Sequence, residues 1–459
     1  MSIKSIFKLI IITISLVGCG SGNSTMTPTN NVLILTDIHF DPYTSCGESV
    51  TAQSQQCLLQ LINESNPAKW QLPIKSINTY TEDSNNTFLV QGLQGLTHYI
   101  QTYKITKIFV LGDLLSHNFR QDFNNYLPQE SQTQLTNLAL NSLTYVIYNI
   151  AKASNNAQIY YVFGNNDTDT EDYLYPSVNF MQHIVPQIGN YMSDPQAFAA
   201  TFSDGGYSQM SFNSQVNVIG LNFNLLTQEN SKVESAITRA ELQLEWLKEQ
   251  LSAARDQHKK IILLQHEPFG INIDNAATGR SPESLTYTVL NPRLERKYLA
   301  VYESYSDVIN NYYYGHYHMD SIQVAGNLFA FSTLAFNVDF DNNPGFKIIN
   351  LNQLGELQDY TTYYSNFINQ KLSWQPLYNL NSTYNISPES YVSFFANNFP
   401  SNQNSTQATA YTNYYNGLNL IESLLQPISL PSRWMYYYCG MNKLLLVPYQ
   451  DCLHTHKTP

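Results

Sequence analysis

A chain of 459 residues is long enough to bury a large core, and a formal net charge of −12 leaves it without the basic footprint that nucleic acid demands. Duplex nucleic acid is excluded as a partner on that ground. Only 13% of residues are charged, and polarity rests instead on Asn, Gln, Ser, Thr and 34 tyrosines, a composition suited to an extracytoplasmic surface.

The chain opens with Lys4 and Lys8, an apolar run over 9–17 that is too short to cross a bilayer, and then Leu16-Val17-Gly18-Cys19. This pattern looks like a bacterial lipobox, so residues 1–19 read as a lipoprotein signal peptide with Cys19 acylated. An ordinary signal peptide cut nearby, giving a secreted protein, is the alternative. Residues 20–31, rich in Ser, Thr, Asn and Gly, are expected to form a flexible tether. The expected location is extracytoplasmic, with the membrane touched only through a lipid on Cys19. Cys46, Cys57, Cys439 and Cys452 remain, and they allow three pairings. Pairing Cys46 with Cys57 and Cys439 with Cys452 closes two short loops and is the expectation adopted. Their spacing is not that of a zinc finger.

Apolar runs of strand length lie at 32–35, 108–111, 159–163, 216–221, 261–264 and 346–351. The clearest helical pattern covers 239–255, where Thr238 and Glu241 suit a capping box and Leu244, Leu247, Leu251 and Ala254 share one face. A helix feeding directly into the strand 261–264 signals a layered α/β fold, in which ligands bind beyond the carboxyl ends of the strands. Past residue 352 the pattern changes, and 360–372, 387–397 and 409–425 read as helices. The division expected is a catalytic domain over 32–355 and a small helical C-terminal subdomain over 356–459.

Five strand ends carry polar clusters of one kind. Asp37 and His39 follow the first strand, Gly112, Asp113 and His117 the second, and Gly164, Asn165, Asn166 and Asp167 the third. His266 follows the strand at 261–264, and Gly315-His316-Tyr317-His318 follows a tyrosine strand at 312–314. Singly, each residue has a bland reading as a cap, a core histidine or a turn residue. Jointly, their order and their placement at strand ends point to a metal site.

Two divalent ions about 3.5–4 Å apart need a shared anionic bridge, imidazole or amide ligands around it, and an open edge for substrate. Asp113 is the natural bridge. Strand alternation is expected to send Asp37 and His39 to one side, and His316 and His318 likewise. One site would then be Asp37, His39, Asp113 and His318, and the other Asp113, Asn165, His266 and His316. Oxygen and nitrogen ligands without sulfur favour zinc, with manganese or iron as alternatives.

Asp-x-His, Gly-Asp-x-x-x-His, Gly-Asn-Asn-Asp, the His of Gln265-His266-Glu267 and Gly-His-x-His, in this order, resemble the motifs of the calcineurin-like metallophosphoesterases. Within that superfamily the chain is similar to the acid sphingomyelinase-like phosphodiesterases. His117 four residues after Asp113, the run Asn343-Pro344-Gly345-Phe346 and a helical tail ending in a cysteine pair carry this second likeness. The resemblance implies a β-sandwich flanked by helices, the two ligand sets above, and hydrolysis of a phosphoester. It also implies His117 as a catalytic proton donor.

The chain departs from these relatives at Asn166, where they carry a His after the ligand Asn. An amide orients but cannot act as an acid, and loss of general-acid help costs most for alkoxide leaving groups. Either His117 supplies the proton or the substrate leaves as a stable anion. Soluble phosphodiesters and phosphoanhydrides, such as nucleotides or CDP-alcohols, are therefore the expected substrates of a monomeric enzyme. An endopolyphosphatase-like activity is an alternative, since those relatives also read Gly-Asn-Asn-Asp. A surface-binding lipoprotein without catalysis is another. Sphingomyelin itself is disfavoured, because no lipid-presenting domain fits between Cys19 and Val32. Ser116 stands where a purple acid phosphatase would carry a ligand Tyr.

Overall fold

The computed structural model describes residues 30–74, 76–77, 82–273, 288–340, 342–367, 370–418 and 430–456. The expected signal peptide, nearly all of the tether and the end of the 409–425 helix lie outside these residues.

Two mixed sheets, each of six strands, form the centre of the fold. The first contains β1 (Asn30–Leu35), β2 (Lys107–Val110), β3 (Gln158–Tyr161), β10 (Gly345–Leu351), β11 (Leu357–Ser365) and β12 (Trp374–Asn379), in the order β12-β11-β10-β1-β2-β3. The second contains β4 (Ser208–Ser211), β5 (Val216–Gly220), β6 (Lys260–Leu264), β7 (Ile309–Tyr313), β8 (Ile322–Ala325) and β9 (Leu328–Phe331), in the order β4-β5-β6-β7-β9-β8. The strands that end at the candidate site, β1-β2-β3 and β5-β6-β7, run parallel within their sheets.

Alternation along β5, β6 and β7 divides their side chains between two cores, as the pleat of a strand requires. Val218, Ile262, Leu264 and Tyr313 join the core shared with the first sheet, where Phe109 meets Tyr313 at 5.9 Å between ring centroids. Ile219, Ile261, Leu263, Tyr312 and Tyr314 pack instead against the helices Glu234–Asp256 and Pro292–Ser304. Burial on both faces explains why Ile261–Leu264 of β6 reads as an unbroken apolar run.

Two sequence expectations are corrected here. The stretch 360–372 does not form a helix: Leu357–Ser365 is β11, paired antiparallel with β10, and β12 extends the same sheet to Asn379. Its Tyr and Thr residues are strand formers, and Tyr360, Thr362 and Tyr363 are buried in a sheet that local pattern cannot reveal. The helix placed at 239–255 begins at Glu234, so Thr238 is no cap; its hydroxyl donates to the Glu234 carbonyl, and Glu241 pairs with Lys297. The face of Leu244, Leu247, Leu251 and Ala254 is buried as expected.

After β12 the chain is helical, through Leu380–Tyr384, Thr406–Tyr414, Leu430–Gly440 and Leu446–His456. Phe395, Phe399, Tyr411 and Trp434 join the main core. The disulfides are Cys46–Cys57 and Cys439–Cys452, the pairing expected. Among the described residues no helix is long and apolar enough to cross a membrane.

Candidate metal centre

The seven residues expected to hold metal converge at the carboxyl ends of β1, β2, β3, β6 and β7. Asp113 lies at the middle: its Oδ2 is 3.5 Å from His39 Nε2 and 3.3 Å from His266 Nε2. Asp37 Oδ1 stands 3.5 Å from His318 Nε2 and 3.9 Å from both His39 and His266 Nε2. His39 and His318 bring their Nε2 atoms within 3.1 Å of each other. Asn165 Oδ1 lies 3.0 Å from His266 Nε2 and 2.8 Å from His316 Nδ1. Most of this cluster is buried, while His316 and His117 are partly exposed and form its open edge.

Strand alternation is not what aims these side chains. β1 stops at Leu35 and β7 at Tyr313, and Asp37, His39, Asp113, His316 and His318 all lie beyond their strands in the left-handed region, with φ of 51°, 47°, 53°, 71° and 60°. Non-glycine residues adopt that region at a cost, and clusters of them mark sites where the surrounding fold enforces the geometry. Backbone bonds do the enforcing: Asp37 N–H donates to the Gly112 carbonyl at 3.0 Å, and His39 N–H to the Asp113 carbonyl at 3.0 Å. Gly164 must be glycine for a different reason, since a Cβ there would meet Asp113 N and Oδ1 at 2.1 Å.

The donor set fits a cation. His266 Nδ1 donates to the Leu111 carbonyl at 2.6 Å, so in a neutral ring Nε2 is an acceptor. That acceptor faces Asn165 Oδ1 and Asp113 Oδ2, which also accept, and only a proton or a metal ion reconciles the three. In the metal-free protein it is a proton: burial opposes it, but Asp113 and Asp37 hold the His266 imidazolium well above its usual range. Burial alone would raise Asp113, yet the His266 charge holds it well below the carboxylate range. Asp37 is pushed up to about 7, by burial first and by Asp113. Burial, aided by His266, pulls His316 down to about 3, so its ring is neutral and ready to ligate. His39 repeats the pattern, with Nδ1 donating to the Leu115 carbonyl at 3.0 Å and Nε2 turned toward Asp113.

Asn166 and His117 occupy different places around Asp113. Asn166 binds Asp113 itself, its backbone N–H donating to Asp113 Oδ1 at 2.8 Å and its amide Nδ2 to Oδ2 at 2.9 Å. His117 stacks on His39, with ring centroids 3.8 Å apart and planes at 13°. Tyr317, between two candidate ligands, points elsewhere and donates to the Ile271 carbonyl at 2.8 Å.

Several supporting residues escaped the sequence reading. Asp167 accepts from Leu114 N–H, Leu115 N–H, Gly164 N–H and the Tyr161 hydroxyl, stitching the third strand's loop to the second. Asp172 accepts from Asn165 Nδ2 at 2.7 Å and so turns Asn165 Oδ1 inward. Thr36 donates to Asp37 Oδ2 at 2.7 Å. Only Asp167 carried a signal, its place in Gly-Asn-Asn-Asp; the others belong to no motif.

The model of the calcineurin-like phosphoesterase family matches residues 31–320. The chain belongs to that family. Its members use a dinuclear metal centre, and the described residues hold candidate ligand clusters for one. It is 27% identical over 269 residues to the human cyclic GMP-AMP phosphodiesterase SMPDL3A, covering 55% of this chain and 57% of that protein. It is 22% identical over 457 residues to sphingomyelin phosphodiesterase B of Dictyostelium discoideum, covering 93% of this chain and 66% of that protein. These relatives form the acid sphingomyelinase-like branch, and the aligned region spans less than two thirds of either one's length. A crystal structure of a dimetal phosphatase from Danio rerio overlays on 72% of this chain and 95% of its own, with a TM-score of 0.44 at 12% identity.

Proposed function

We propose that this phosphoesterase hydrolyses phosphodiester or phosphoanhydride bonds of small soluble substrates, nucleotides and CDP-alcohols among them. The convergence of acceptors on Asp113 is the observation that carries the reading. Asp37, His39, Asp113 and His318 would hold one divalent ion and Asp113, Asn165, His266 and His316 the other, with zinc the first candidate. Such a pair supplies an activated water and neutralises charge on the phosphoryl oxygens. The two named relatives, both phosphodiesterases, favour the same bond class.

The protein's own part is positional. Asn166, with its amide committed to Asp113, orients the bridge rather than donating a proton. His117, at the open edge, is then the group that protonates a leaving oxygen. Burial opposes its charge, but Asp83 raises its pKa to about 9, which favours the acid form at neutral pH. A lipidated Cys19 and the tether 20–31 would hold the catalytic domain, 32–355, and the C-terminal part, 356–459, outside the cytoplasm as a monomer. Two disulfides support that location.

The test is a panel of ATP, a CDP-alcohol, polyphosphate and sphingomyelin, with Asp113→Asn as the blank. Turnover of the nucleotide substrates above the blank is expected; rates equal to the blank throughout would overturn the reading. In the same panel Asn166→His should retain metal and gain on alkyl phosphodiesters, and unchanged relative rates would count against an orienting Asn166.

A further inference from the structure

His117 is held by a second carboxylate outside the metal cluster. Its Nδ1 lies 2.8 Å from Asp83 Oδ1, and its backbone N–H donates to Asp83 Oδ2 at 2.8 Å. A carboxylate only accepts, so Nδ1 carries the proton. Asp339 Oδ2 stands 3.4 Å from the same nitrogen. Nε2, by contrast, makes no hydrogen bond among the described residues, although a His117 ring nitrogen lies within 4.8 Å of ones on His39 and His318. The ring is confined between the His39 stack and the edge of Phe340, whose centroid is 5.5 Å away.

Asp83 is itself fixed by backbone. Ser84 N–H donates to the His39 carbonyl at 2.8 Å, and Asp41 N–H donates to the Ser84 carbonyl at 2.9 Å. On the other side Phe40 N–H donates to the Leu114 carbonyl at 2.8 Å and Ser116 N–H to the Phe40 carbonyl at 3.1 Å. Phe40 is thus bridged to both Ser84 and Leu115. The segment with Asp83, the loop with His39 and the loop with His117 form one short ribbon, and the Asp83 side chain is only 13% exposed. A carboxylate reached by both a ring N–H and the same residue's backbone N–H, on a segment zipped to the metal-bearing loops, sets a ring's angle and tautomer.

We propose that Asp83 is the positioning residue for His117, fixing Nδ1–H so that Nε2 faces the reacting phosphoryl group. The inference rests on the proposed role of His117. In the acid form Nε2 carries the second proton; it passes to the leaving oxygen as the P–O bond breaks, while Nδ1–H stays on Asp83. Asparagine at this position keeps one acceptor but turns an N–H₂ group toward the other donor, releasing the ring.

The holoenzyme is tested with two nucleoside 5′-phosphodiesters that differ only in leaving group, p-nitrophenol or ethanol. The nitrophenolate leaves without a proton; the ethoxide needs one. His117→Gln should lose about 10²–10⁴-fold on the ethyl ester, and Asp83→Asn roughly 10–100-fold, with neither losing comparably on the nitrophenyl ester and with metal content unchanged. Equal losses of Asp83→Asn on both esters, no loss on either, or a fall in bound metal would overturn the inference while leaving the His117 reading in place. Equal losses of His117→Gln on both esters would remove the proton-donor reading and the inference with it. Should Asp83→Asn not fold, heteronuclear NMR of the wild-type holoenzyme decides, with His117→Gln identifying the signal: Nδ1 must carry a proton, and an unprotonated Nδ1 overturns the proposal.

Discussion

Lys347 and Asp320 are as deeply buried as His266 and Asp113, yet the first pair is closed and the second is open. Asp320 takes Lys347 and the Thr362 hydroxyl on one oxygen and the Tyr378 hydroxyl on the other. The ammonium also sits 4.7 Å over the ring of Tyr360. Burial pulls Lys347 down to about 8 against the pull of Asp320, so it remains charged at neutral pH. Around Asp113 the described residues offer no Lys or Arg; its donors are the Asn166 amide groups and the His266 imidazolium, whose proton sits where a metal ion can replace it. Asp320 lies two residues beyond His318 and ties that loop to β10, β11 and β12. Asp320 has a counter-charge fixed by the chain, whereas the counter-charge of Asp113 is a proton on His266 that a metal ion would displace.

That contrast breaks most sharply at Lys347. Replacing it with Met leaves Asp320 buried without its cation, and we expect a loss of about 3–5 kcal/mol in denaturant unfolding. The double variant Lys347→Met with Asp320→Asn should recover much of that loss. A single variant as stable as wild type would mean the pair is not the closed unit described. Stripping metal tests the open cluster: at free metal 100 times its Kd, each site should contribute about 2.7 kcal/mol, lost on chelation. Unfolding that is indifferent to chelator would contradict the donor geometry around His266.

The sequence made the ordered motifs legible because each lies within a few residues and ends a strand with strong apolar pattern. Asp113, flanked by Gly112 and preceded by an unbroken run, could be placed at a strand end without coordinates. What could not be read was how the side chains are aimed. Asp37 and His39 point together because two left-handed residues, held by the Gly112 and Asp113 carbonyls, fold the loop, and no period in the sequence encodes that. β11 was misread for a related reason: Tyr360, Thr362 and Tyr363 become strand residues through pairing with β10, a contact made by tertiary structure. Asp83 and Asp172 were invisible because neither belongs to a motif, and Asp83 lies far along the chain from the His117 it holds.

Asp172 sharpens the comparison at its smallest scale, since it decides which end of one amide meets the ion. Asn165 presents Oδ1 to His266 and His316 only while its Nδ2 donates to Asp172 Oδ1. With Asp172→Ala the amide is free to turn and offer N–H₂, which cannot ligate a cation. Outer supports of this kind are typically worth about 10–100-fold in metal affinity. Calorimetric titration of the stripped protein should show one of two sites weakened by that amount and the other unchanged. Asp172→Asn, which keeps an acceptor for Nδ2, should retain most of the affinity. Equal weakening of both sites would mean that Asp172 acts through the shared Asp113, and no weakening would mean that Asn165 holds its orientation without help.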